Sequence, residues 1–165
     1  MRKPSRSVEL DDIISSEIIG DNPNVVAIIL KTHLALEALL IDMIRVSRTD
    51  DKLYKTSFPD KTNWLVANHV IEANDKAAFD QFNEFRNDIA HIFGHTISLG
   101  DVLKLARDLE ADGIDFSDSA GHYSEVEAEE FYGGTEGILA EIGWCILAHA
   151  GFLLHQAGGR DIFGA

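Results

Sequence analysis

Cysteine is almost missing: Cys145 stands alone, which excludes an intramolecular disulfide and a cysteine metal cluster and fits a reducing, cytoplasmic setting. Proline is nearly as scarce, with residues only at positions 4, 23 and 59, so long stretches carry no backbone breaker. Long apolar runs are absent too. Val25 to Leu30 stops at Lys31, and the next run is interrupted by Glu37 and Asp42, short of the roughly 18 apolar residues of a membrane span. No membrane association is expected. The opening MRKPSRSVELDD carries positive charge without a following apolar stretch, so it lacks the central region of a secretory signal.

Basic residues are the largest deficit. Fourteen Lys and Arg face 28 Asp and Glu, for a net charge of −14. From Asp108 to Gly159 there are eleven acidic residues and no Lys or Arg, whereas residues 1–107 are close to balanced. A broadly acidic surface opposes general coating of duplex nucleic acid, which needs cations to displace condensed counterions, but it leaves room for a local RNA site. The acidic third could also dock a basic partner. What the chain does have is 45% hydrophobic residues over 165 positions, enough for one globular domain spanning residues 1–165, with 1–8 expected to be flexible.

Apolar residues repeat at three and four rather than two, which predicts helices throughout. A short amphipathic start covers Leu10 to Ile18. Asn22 as N-cap and Pro23 at the first helical position open a long apolar helix over Val25 to Val46, wide enough in its apolar stripe to be central. Asp60 is expected to cap a helix bearing Trp64, Leu65, Val70 and Ile71, and Asn74 or Asp75 to start one bearing Phe79, Phe82, Phe85 and Ile89. Ser98, with Asp101 three residues on, predicts a capped helix closed by Gly113. Residues 114–123 read as a loop, helix resumes at Ser124, breaks at Gly133-Gly134, and ends in an apolar helix through Trp144 and Phe152 to Leu154. The expected fold is all-α, an antiparallel bundle of about five main helices. Gly137, Gly143 and Gly151 in the last helix predict close approach of another helix.

The densest polar cluster on an apolar helix is NEFRNDIAHIFGH, which carries Glu84, Arg86, Asn87, Asp88, His91 and His95. Asn87, His91 and His95 are four apart and share a stripe, while Arg86 and His91 are five apart, about 140° around the helix. The long Arg side chain, or a second subunit, would have to complete the pair. Arg86-Asn87-Asp88-Ile89-Ala90-His91 resembles the signature of the HEPN superfamily: an Arg, often followed by Asn or Asp, and a His after four to six residues. That resemblance implies a small all-α bundle, a homodimer completed through the motif helix, and metal-independent endoribonuclease activity of a toxin or defence effector, with Arg86, Asn87 and His91 as catalytic residues. It also implies RNA as substrate and a cognate antitoxin, with no metal or other cofactor. The layout, with the segment HLALEALL, is similar more loosely to mannitol-repressor-like regulators, which implies the alternative of a noncatalytic dimeric regulator or scaffold.

RNA cleavage by its own 2′-hydroxyl needs a base and a cation, not a metal. His91, ordinarily near about 6.5, suits the base, Arg86 suits phosphate, and Asn87 could hold the imidazole or a phosphate oxygen. Glu84 and Asp88 are expected to face away from such a site, because carboxylates there would repel phosphate. Other histidines read differently. Asp88, His91 and His95 have metal-ligand spacing, although Gly94 between the histidines weakens it. His33 and Glu37 are expected to pair in the core, His149 and His155 to lie at the surface or an interface, and Cys145 to be a buried, inert thiol.

Overall fold

A computed structural model describes residues 5–6, 23–47, 51–93, 97–116 and 118–164. The expected amphipathic start at Leu10 to Ile18 lies outside them, as do residues 1–8 apart from Ser5 and Arg6. The described chain is all-α, with six α-helices: α1 (Pro23–Ser47), α2 (Phe58–Ala67), α3 (Ala73–His91), α4 (Leu99–Ala111), α5 (Glu125–Tyr132) and α6 (Thr135–Gln156). Short 3₁₀ turns occupy Asp51–Lys55 and Ala120–His122. Among the described residues the one extended pairing is two residues long on each side, with β1 (Ser5–Arg6) lying parallel to β2 (Ile92–Phe93) directly after α3.

Local chemistry explains most helix starts. Ser98 Oγ accepts the Asp101 N–H at 3.1 Å while Asp101 Oδ2 accepts the Ser98 N–H at 3.0 Å, a reciprocal capping box that satisfies two orphan donors. Ser124 and Glu127 do the same for α5. At α2 the cap is Ser57, with Asp60 as its partner three residues on, rather than Asp60 itself. Asp75 likewise reaches back, at 2.8 Å, to the Glu72 N–H, so α3 starts at Ala73. Gly133 and Gly134 sit at φ of 76° and 93°, conformations a side chain would strain, and they make the expected break before α6.

The core is built on α1 and α6. Val25, Ile29, Leu36 and Met43 of α1 and Ile138, Ile142 and Ile146 of α6 are buried, joined by Phe79 and Phe82 of α3 and Val102 and Leu109 of α4. A β-carbon on Gly143 would lie 2.8 Å from Thr32 Oγ1, and one on Gly158 would lie 3.7 Å from Val46 Cγ1. Contact at both ends of the same offset means that α1 and α6 run parallel. Asn83 meets His33, and Asp75 meets His149 further along α6, so α3 runs antiparallel to that pair. Antiparallel packing is thus seen for α3 against the pair and not between α1 and α6, which the chain joins by a long excursion through α2 to α5.

The three glycines of α6 differ in role. Gly143 admits α1, as expected. Gly151 instead admits the ring of Phe163 from the C-terminal tail, and Gly137 packs on the Tyr132 carbonyl of the preceding turn. Not every residue of the apolar stripes is inside: Leu34 is 65% exposed and Trp144 61% exposed, because both point away from the α1–α6 seam. By length and composition α1 and α6 could each cross a bilayer, contrary to the shorter runs read from the sequence. The charges of α1 are handled individually in the fold: Lys31 is exposed and Glu37 pairs with Lys61.

Gly143→Val should lower stability by about 1–3 kcal/mol through overpacking against Thr32. Combining it with Thr32→Ala should recover part of that loss in urea denaturation.

Candidate functional site

Arg86 and Asn87 sit in the last turns of α3, and both are half-buried. Arg86 Nη1 donates to Asn87 Oδ1 at 3.0 Å. Adjacent helical residues point about 100° apart, so the guanidinium folds around the helix toward the Asn87 stripe. That stripe is the one on which position 91 falls. Arg86 Nε is enclosed without a hydrogen-bond partner among the described residues. His91 is the final residue of α3. Its side chain, and His95 with the metal-ligand spacing it would share, lie outside the described residues.

Glu84 and Asp88 line a groove of about 530 Å³ between α3 and α4, together with Gln81, Phe85, Lys104 and Leu105. Arg86 projects from the opposite side of α3, close enough to His33 for its charge to act there. The two acids thus lie across α3 from Arg86, which meets only part of the expectation that they face away from the site. They do not face away from position 91, because Glu84 is seven residues before it and falls only about 20° off its stripe.

Beneath the motif, α1, α2 and α3 share a layer of buried polar side chains. The expected His33–Glu37 pair does not form. His33 Nε2 donates to Asn83 Oδ1 at 2.9 Å and packs on the Phe58 ring, with centroids 5.1 Å apart. Glu37 instead accepts from Lys61 Nζ at 2.9 Å, and the same ammonium donates to the Thr56 carbonyl at 2.6 Å. Lys61 is 1% exposed. Thr62 donates to Asp80 at 2.8 Å, and Asp80 also pairs with Lys76. Neighbours four apart on one helix can meet, but each of these groups has a better partner on another helix. Burial holds the His33 imidazole below its ordinary value. The Asn83 hydrogen bond opposes that shift, the Arg86 charge adds to it, Glu37 opposes it and Lys61 adds to it.

His155 is exposed, while His149 is half-buried: its Nε2 bonds Asp75 Oδ1 at 2.7 Å, and the ring sits edge-on to Phe79. Cys145 is buried and its thiol donates to Glu141 Oε1 at 3.4 Å. Burial first, and then Glu141, push it up to about 12, so it stays protonated and a poor nucleophile. Among the described residues no three His, Cys, Asp or Glu side chains converge to hold a metal ion. His33, Asn83 and Lys61 were not read as site residues from the sequence. The only available signal was a His and a Glu on an otherwise apolar helix, which says that partners exist but not where. No family model, curated protein or solved structure matches the chain.

Lys61→Met should cost about 3 kcal/mol, because it strands Glu37 and the Thr56 carbonyl, and adding Glu37→Leu should recover most of it in urea titrations. The unfolded chain protonates His33 near 6.5, above its folded value. His33 therefore adds a loss of stability that begins as pH falls through about 6.5 and levels off below the folded value. His33→Gln should flatten that part of the urea-midpoint profile between about pH 7.5 and 5.

Proposed function

We propose that the protein is a metal-independent endoribonuclease of the HEPN type, cytoplasmic and dimeric through α3, acting as a toxin or defence effector. In this reading α5, only eight residues long, is an addition to a five-helix HEPN-like bundle. The carrying observation is the Arg86–Asn87 contact at 3.0 Å. It turns the guanidinium, whose Nε has no partner among the described residues, toward the stripe of position 91, which removes part of the 140° separation that the bare helix imposes.

The proposed roles follow from that arrangement. His91 takes the proton from the ribose 2′-hydroxyl, the 2′-oxygen bonds to phosphorus, and the P–O5′ bond breaks as the 5′-oxygen takes a proton from solvent. Arg86 holds the non-bridging phosphate oxygens as negative charge builds on the phosphorane. Asn87 positions the guanidinium. The products are a 2′,3′-cyclic phosphate and a 5′-hydroxyl, and no cofactor enters. A cognate antitoxin or other basic partner would suit the groove rimmed by Asp80, Glu84, Asp88 and Asp108, away from Arg86.

A second reading, a noncatalytic dimeric regulator or scaffold of the mannitol-repressor-like kind, is favoured by the exposed Leu30 and Leu34 on α1. Apolar side chains left in water suit a docked partner.

Wild type, Arg86→Ala, Asn87→Ala and His91→Ala should be incubated with single-stranded and transfer RNAs in EDTA and the product ends mapped. Cyclic phosphate ends are expected from wild type, with losses of about 100-fold or more in the Arg86 and His91 variants and about 10-fold in the Asn87 variant. Equal cleavage by His91→Ala would sink the assignment. No cleavage by folded, dimeric wild type would favour the regulatory reading.

A further inference from the structure

After α4 the chain is extended, and its side chains alternate. Ile114 and Phe116 are buried, while Asp115 between them is exposed. The Phe116 carbonyl accepts the Ser119 N–H at 3.0 Å, a turn that leaves Asp118 exposed. Both carboxylates border α6, where Glu141 and Cys145 lie on one stripe and Trp144 and Phe152 on the next. These six side chains, with Ala148 and with His149, whose imidazole is held by Asp75, bound a pocket of about 440 Å³ on α6.

No Lys or Arg lines the pocket, and among the described residues none of its three carboxylates is in an ion pair. The aromatic wall is built rather than incidental. Trp144 is 61% exposed, yet its ring is braced edge-on by Phe163 at 5.3 Å, and Phe163 can sit there only because residue 151 is glycine. Phe152 adds a second half-exposed face. Water gains little from these rings, whereas a cation with a methylene chain gains from both the ring faces and the carboxylates.

We propose that this pocket binds an aliphatic polyamine, with its ammonium groups on Asp115, Asp118 and Glu141 and its methylenes against Trp144 and Phe152. The negative charge is spread around the rim and does not converge on a point that would hold a metal ion, so separated ammonium groups match it better than a single small cation. The field reaches the neighbouring groups. The Cys145 thiol and the Tyr132 phenol are each pushed up to about 12, by burial first and then by these carboxylates, Glu141 leading for Cys145 and Asp118 for Tyr132. This site is separate from Arg86 and Asn87 and does not depend on the nuclease reading.

The test is titration of the full chain with spermidine, followed by isothermal calorimetry and by Trp144 fluorescence in a Trp64→Phe background. Magnesium chloride at matched ionic strength serves as the comparison. Saturable binding at one per chain is expected, weakened about 10-fold or more in Asp118→Asn/Glu141→Gln, several-fold in Trp144→Ala, and unchanged in Glu129→Gln/Glu130→Gln on α5. Binding that does not saturate, that magnesium reproduces, or that the pocket variants leave intact would overturn the proposal. Circular dichroism of each variant separates a lost site from a lost fold.

Discussion

The close packing of α1 on α6 is the constraint on which the rest of the structure depends. A glycine at position 143 brings the α6 backbone against Thr32, where a β-carbon would lie 2.8 Å from the hydroxyl oxygen. Two long apolar helices that run side by side in the same direction cannot be joined by a short turn, so the intervening chain must travel the length of the pair and return. α2 to α5 are that excursion, and they cover the faces that the pair leaves open. With α3 laid antiparallel across both, the buried Phe79 and Phe82 close the core.

That arrangement forces polar groups inside, and four of them are satisfied across helices. His33 finds Asn83, Glu37 finds Lys61, Thr62 finds Asp80 and His149 finds Asp75. An unpaired group in such a place costs its full desolvation, whereas a paired one also fixes which residues face each other. The layer therefore acts as a register for α2 and α3 against α1 and α6. It also sets the electrostatic surroundings of α3 from within, since His33, held neutral by burial, spares Arg86 a second positive charge nearby.

α3 consequently presents different chemistry on different sides. Toward α1 it offers Asn83 and the base of Arg86, and toward α4 it offers the acidic wall of Glu84 and Asp88. Arg86 joins the two regimes by folding onto Asn87. Its enclosed Nε has no hydrogen-bond partner among the described residues, and a guanidinium suits bidentate contact with an anion. The pocket on α6 is its electrostatic opposite, with carboxylates and aromatic faces and no Lys or Arg among its lining residues.

Much of the fold is legible in the residues because the forces concerned are local. Ser98 and Asp101, the Gly133-Gly134 break, the Pro23 start and the apolar spacing of α1 and α6 each act within a turn or two of chain, so the all-α class and most boundaries follow from sequence alone. The candidate positions Arg86, Asn87 and His91 are legible for the same reason, as a pattern on one helix. What only the tertiary structure decided is which groups meet. Glu37 four residues from His33 looks like its partner, yet Asn83, fifty residues on, and Lys61 take the two roles. The parallel run of α1 and α6 and the bracing of Trp144 by Phe163 belong to the same class. Local propensity depends on neighbours in the chain, but burial and ion pairing depend on neighbours in space, and those are set only when the helices pack.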